Sequence, residues 1–285
     1  AVAGLAGGLG TGSAAALVVA CLGARGRSLS ATGNLVGAVI GTSLSQLGVW
    51  LWAEGALHRV FHAHAAACVF LLVLLVPVLA WRASENRAAF THAPAEAAAA
   101  TDRKSMLWPL LSGCCCWVSI SAAITFLPSF FAESGQPLLR ALGVILMMVA
   151  SASGQLASPW IGRRFPNVSG QLAVAAGLAM LLGGAWLTSA PLALAGFASF
   201  GAGIGIAYRL GLVAVTRGAS PAEQARRASL YGAATYTAAA AGVLGAGFWA
   251  SQAGLSAMVA QGFGAMALVA LALLPRAPRF RDARE

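Results

Sequence analysis

The sequence predicts an all-α polytopic membrane protein with nine transmembrane helices. Three observations carry this. Of the 285 residues, 59% are hydrophobic and only 9% charged, against roughly 45–50% and about 25% in soluble domains. The apolar residues gather into nine stretches, each near the ~20 residues that cross a bilayer. Fifteen of the 18 lysines and arginines fall in alternate connections, the one-sided pattern that orients membrane proteins.

The first stretch, 2–22, has Gly4, Gly8 and Gly12 at four-residue spacing, and the second, 32–53, repeats it with Gly37 and Gly41. In lipid, small residues at this spacing let helix backbones approach closely. The second stretch also carries Gln46 and ends at Trp50 and Trp52 before Glu54, an aromatic interfacial signature. His58, His62 and His64 precede or open the third stretch, 63–81. His58 and His62 are four apart and could share a helical face as a metal pair or pH sensor; interfacial histidines beside a wet loop are the commoner case.

The longest polar interval, 83–105, is rich in alanine and charge and reads as a flexible linker or surface helix. The fourth stretch, 106–131, follows with Cys114, Cys115 and Cys116, then Trp117, Ser119, Ser121 and Thr125. Consecutive helical residues diverge by about 100°, so the three thiols cannot converge on one metal. With Cys21 and Cys68 they read as small core residues, and no disulfide framework is implied. The fifth stretch, 138–160, contains Ser151, Ser153 and Gln155; the sixth, 168–188, is almost wholly apolar. The seventh, 191–216, has Gly201 and Gly205 and then Tyr208 and Arg209. The eighth, 228–250, carries Thr235, Tyr236 and Thr237, and the ninth, 254–274, leads into a basic tail at 276–285.

The bias sets the orientation. Arg25, Arg27, Arg82, Arg87, Arg103, Lys104, Arg163, Arg164, Arg217, Arg226, Arg227, Arg276, Arg279, Arg281 and Arg284 lie on one side, opposed only by Arg59 and Arg140. This places the C-terminal tail in the cytoplasm and the protein in a plasma or inner membrane. Nine crossings then put Ala1 outside, which leads to the expectation of further helices upstream. The net charge of +10 is accounted for by these loops, and no nucleic-acid module accompanies it. No Walker A sequence supports an ATP-driven pump.

Ionisable residues at membrane depth are functional candidates by default. Arg209 is the clear case, about seven residues or roughly 10 Å from its helix end. It reads either as a snorkelling anchor or as a cavity residue facing an anionic substrate or a carboxylate. No Asp or Glu lies mid-membrane. Gln46, Gln155 and Tyr236 are too large and polar to hide against their own helices and are expected to line a cavity or bridge helices.

Three helices, a basic loop and six helices resemble the major facilitator superfamily without its first three helices. The resemblance rests on Gly4 to Ser13 followed by Arg25-Gly26-Arg27, on Thr125 to Phe131, and on Gln155 to Arg164 against the family loop G-x-L-A-D-R-x-G-R-R. It also rests on Phe200 to Gly205 and on Ser229 to Gly232. Gln155 and Pro159 stand at that loop's first glycine and its acid, so a gating ion pair through the acid is absent. Gly162, Arg163 and Arg164 keep its end and imply a gating loop, while read from charge alone Arg163 and Arg164 are inside-positive anchors. Gly37 to Ser45 partly resembles the antiporter motif G-x-x-x-G-P-x-x-G, with Thr42 and Ser45 departing from it.

The resemblance implies a twelve-helix, six-plus-six fold. Residues 1–82 would be the last three helices of the N-terminal bundle, 83–105 the central loop, 106–275 the C-terminal bundle and 276–285 the tail. It implies a substrate cavity near mid-bilayer with Trp117, Ser121, Thr125, Tyr208, Arg209, Tyr236 and Gln46 as candidate lining. Gly4, Gly8, Gly12, Gly37, Gly41, Gly201 and Gly205 would be packing positions. The expected function is secondary transport of a small organic solute by alternating access, with efflux of an amphipathic compound and proton coupling as the leading form. Uptake of a sugar or organic anion, and a non-transporting receptor or assembly protein, are the alternatives. An enzyme is not expected, because no carboxylate or histidine is buried among the spans. The expected partners are the solute, protons and the lipid bilayer, with no nucleic acid, no cofactor and no metal, in a protein that is monomeric at full length.

Overall fold

The structure, a computed structural model, describes residues 55–85, 103–219 and 221–283, with residue 18 and scattered positions between 33 and 52. Seven helices have defined bounds: α1 Ala56–Glu85, α2 Arg103–Glu133, α3 Pro137–Arg164, α4 Gly170–Trp186, α5 Ala190–Thr216, α6 Pro221–Ala253 and α7 Leu255–Leu273. A 3-10 turn, Phe280–Ala283, follows. No strand occurs among the described residues. The seven helices fall on the third to ninth apolar stretches, and the described positions between 33 and 52 are all helical. Gly4, Gly8, Gly12 and Gln46 lie outside the described residues.

Five of these helices, α1, α2, α3, α5 and α7, are long and apolar enough to cross a membrane. Nine spans were expected; the first two stretches lie largely outside the described residues, and two described helices fall short in length or apolarity. The sixth stretch yields an α4 of only 17 residues, about 25 Å long against a ~30 Å hydrocarbon core. Its expected last residues close a turn instead: Thr188 sits at φ 51° while Ser189 N–H donates to Gly184 O. Helix α6 has 33 residues, but its first turns carry Glu223, Gln224, Arg226 and Arg227 and the rest is mainly small or weakly polar. The expected loop 83–105 is also trimmed, since α1 runs through Glu85 and α2 starts at Arg103.

The chain divides into two compact units, Ala1–Val39 with Asp102–Glu285, and Ile40–Thr101. The smaller contains α1, whose apolar side chains at positions 69–76 are 51–64% exposed. A helix greasy on every side and exposed among the described residues suits surrounding lipid.

In the larger unit α5 is the central helix, packed most extensively on α4 and α3. Its glycines explain the fit. A Cβ at Gly201 or Gly205 would strike the carbonyl oxygens of Met147 or Ser151 on α3, and one at Gly154 would lie 2.7 Å from Ala202 O. On the other side Gly196 and Gly203 face the α4 backbone at Leu181 and Val174, and Gly177 and Gly184 face back at Phe200 and Ala193. Glycine is disfavoured in a helix interior, and here its missing side chain lets two backbones meet α5. At Gly37 and Gly41 an added Cβ meets nothing within 4 Å. Around the crossings Leu127, Phe131, Leu139, Met147, Leu178, Leu181, Phe197 and Phe200 are buried to 1% exposure or less.

The close crossing of α3 and α5 is testable by adding one methyl group. Gly205→Ala should lower stability by about 1–3 kcal/mol through overpacking. Gly232→Ala, in open space on α6, should be neutral or stabilising by up to ~1 kcal/mol. Thermal unfolding of the detergent-solubilised protein checks both.

Candidate functional site

The eight tryptophans and three tyrosines of the chain are few, yet one tryptophan and all three tyrosines converge. Helix α2 supplies Trp117, α5 supplies Tyr208, and α6 supplies Tyr231 and Tyr236. The Trp117 ring meets Tyr208 edge-on at 5.6 Å and Tyr236 at 4.3 Å. Tyr208 lies 5.2 Å from Tyr231. Aromatic pairs prefer such tilted and edge-to-face geometries, with centroids about 4.5–7 Å apart.

Tyr231 is the anchor. It is 1% exposed, and its hydroxyl occupies a notch made by Gly113 on α2 and Gly211 on α5, where any side chain would collide with it. That hydroxyl donates to Tyr208 O at 3.3 Å. Thr235, one turn further along α6, is fully buried, and its hydroxyl donates to Gly232 O. Trp117, Tyr208 and Tyr236 are half-buried, so the exposed side of the cluster remains accessible while Tyr231 closes its base.

Arg209 follows Tyr208 but points elsewhere, as a 100° step requires. Its Nη1–H donates to the carbonyl of Gln155 on α3 at 2.7 Å. The neighbouring Gly205–Ser151 and Gly154–Ala202 approaches bring the α3 backbone within reach. Gln155 is itself buried. The ion pairs among the described residues involve Arg226, Arg227 and Arg281, so Arg209 is satisfied there by a carbonyl dipole rather than a carboxylate.

The remaining candidates divide. Ser121 and Thr125 continue the Trp117 side of α2, but Thr125 donates back to Ser121 O at 2.8 Å and is exposed. Gly162 lies under the Phe280 ring, while Arg163 and Arg164 are exposed in the last turn of α3, where cations complement the helix dipole. On α1, His62 Nδ1–H donates to His58 O at 2.6 Å, and Cys68 Sγ sits 3.6 Å from His64 Nε2. No group of three or more metal-ligating side chains occurs among the described residues.

Two polar clusters were not singled out from sequence. Gln171, fully buried on α4, donates through Nε2 to Ser112 Oγ and O at 2.5 and 3.3 Å and reaches Cys116 Sγ at 3.8 Å. No spacing signal marks a pair 59 residues apart. The second was legible: Glu223, Arg226 and Arg227 stand at the i+3 and i+4 spacings of helical ion pairs. Glu223 accepts from both arginines at 2.7–2.8 Å. Arg227 also donates to Val215 O at 3.4 Å, which joins the start of α6 to the end of α5.

No family model, curated protein or solved structure matches the chain. The functional reading therefore rests on the residues themselves.

Tyr231→Phe should cost about 1 kcal/mol, the value of one hydrogen bond, and Tyr231→Ala about 3–5 kcal/mol through the cavity left behind; thermal unfolding checks the ratio. The Glu223 carboxyl is held at about 2, below its ordinary 4.5, by hydrogen bonds from Arg226 and then Arg227. A depressed folded-state value means that its stabilisation is full above about 4.5 and lost as pH falls towards 2. Glu223→Gln should flatten that part of the stability–pH curve, measured by unfolding at pH steps across the window.

Proposed function

We propose that the chain belongs to a secondary active transporter of the major facilitator type, moving a small organic solute by alternating access with a proton gradient as its driver. The observation that supports this best is the aromatic cluster. Three helices of an apolar bundle direct Trp117, Tyr208 and Tyr236 to one half-buried place. The packed core uses Phe131, Phe197 and Phe200, which carry no polar atoms, whereas Trp117, Tyr208 and Tyr236 bring an indole N–H and two hydroxyls to a half-buried place. Indole and phenol groups give an amphipathic solute both stacking faces and hydrogen bonds, which favours efflux of such a compound. The arginine bias supports a cytoplasmic C-terminal tail in the plasma or inner membrane.

Arg209 favours a second reading, uptake of an organic anion. Its guanidinium faces a backbone carbonyl rather than a carboxylate among the described residues, which leaves positive charge for a ligand.

Flux in proteoliposomes tests both. Trp117→Ala should reduce saturable flux of an aromatic solute about tenfold, while Trp117→Phe retains most of it, in line with about 1–1.5 kcal/mol for a ring contact. Arg209→Gln should abolish flux of anionic solutes and spare neutral ones. Absence of saturable flux for any solute, with or without a pH gradient, would reject the transporter reading.

A further inference from the structure

The segment after α7 does not hang free. Ala277 and Phe280 are each 5% exposed, although they follow the last helix in a charged tail. The Phe280 ring lies over Gly162, where even a methyl group would approach it to 2.8 Å, and packs with Ile161 on α3 and Ile206 and Leu210 on α5. Main-chain bonds flank this plug: Phe280 N–H donates to Val168 O at 3.3 Å and Arg281 N–H to Pro166 O at 2.8 Å. Side chains extend it. Arg217 at the end of α5 donates to Asp282 O at 2.6 Å, and Arg281 reaches Asn167 Oδ1 at 3.4 Å. At the tail's start, the Arg276 guanidinium sits 4.8 Å over the ring of Trp108 on α2. A reciprocal turn between Arg279 and Asp282 holds the segment's shape.

From these contacts we propose that residues 276–283 are a detachable strap. It holds the neighbouring ends of α2, α3 and α5 together, and its release lets that end of the bundle open. Helix α7 packs against α2, α4 and α6; through the strap its end reaches α3 and α5 as well. The anchorage is lopsided in the way a latch requires. Ala277, Pro278 and Phe280 are buried, only the last with a large side chain, while Arg281 and Asp282 are 57% and 47% exposed, and exposed polar tethers contribute little. A short surface segment with one large side chain inserted opens more readily than the helices beneath it. The glycine crossings of α5 with α3 and α4 lie beneath it and need not break for it to lift. That the opening admits solute rests on the transporter reading; the opening itself does not.

The test uses Cys116, fully buried on α2 and eight residues from Trp108, or about 12 Å along the helix. With Cys21, Cys68, Cys114 and Cys115 replaced by alanine, its reaction with a maleimide reports opening of the bundle in detergent. The strap predicts that Phe280→Ala speeds labelling of Cys116 about tenfold while the unfolding temperature falls by only about 3–5 °C, and that Arg217→Ala speeds labelling less but in the same direction. Rates within about twofold of the parent in both variants would overturn the proposal. So would loss of folded protein in Phe280→Ala with an unchanged rate in Arg217→Ala, because the tail would then be a fixed part of the core. No substrate is needed, so a flux assay that finds no transport leaves the result standing.

Discussion

In a bilayer, water no longer drives helices together, because lipid tails solvate leucine as well as another leucine does. Dispersion contacts and polar contacts remain, and both fall off steeply with distance. Helix α5 meets this constraint with glycine on two sides. Gly201 and Gly205 admit the α3 backbone, and Gly196 and Gly203 admit that of α4. Because α5 is clamped between two partners at backbone contact, its other residues have fixed directions. Tyr208 must turn towards α2 and α6, and Arg209 towards α3.

The same device recurs at the seam of α2, α5 and α6 with a different outcome. Gly113 and Gly211 leave a notch, and here the occupant is the Tyr231 hydroxyl rather than another backbone. A buried phenol needs a hydrogen-bond acceptor, because an unpartnered polar group in a low-dielectric interior is costly. The Tyr208 carbonyl supplies it, which ties α6 to the residue whose ring forms the next layer of the cluster. Trp117 and Tyr236 then rest on a base that packing has already fixed. Preorganisation of this kind lowers the ordering cost of binding.

How much of this was legible in the sequence depends on the period of the signal. Helix positions followed from runs of apolar residues, and Gly201 and Gly205 from their spacing, because both patterns are local. The count of spans was less legible. Composition alone does not show that residues 187–189 close a turn, nor that α6 continues into a charged first turn. Tyr236 stood out as a large polar group in apolar surroundings, Trp117 and Tyr208 entered as cavity lining that the resemblance implied, and the structure brings the three together. Tyr231 entered only as part of a short resemblance, and its anchoring role depends on glycines 118 and 20 positions away. Gln171 and Ser112 had no signal at all, since a glutamine opening a helix is unremarkable until its neighbour is known. The Gly37–Gly41 pair carries the same spacing as Gly201–Gly205 but packs against nothing among the described residues. Small-residue spacing permits a close crossing and does not require one.

The basic residues show how one constraint can serve two ends. Positive charge in alternate connections orients a polytopic chain, and for that purpose any exposed arginine would do. Several are not left to that role alone. Arg227 is 7% exposed and joins α6 to α5, Arg217 and Arg281 tether the tail, and Arg276 covers Trp108. These contacts gather the start of α2, the ends of α3 and α5, the start of α6 and the tail at one end of the larger unit. The arginines in those connections therefore share an end, as the alternation requires, while Arg140 begins α3 at the other. Guanidinium suits both tasks, since it stays charged, forks towards carbonyls and stacks on aromatic faces. Lysine would preserve the topology and lose much of the tethering. Arg217, Arg227, Arg276 and Arg281 are thus basic residues of the alternate connections that also hold helix ends together.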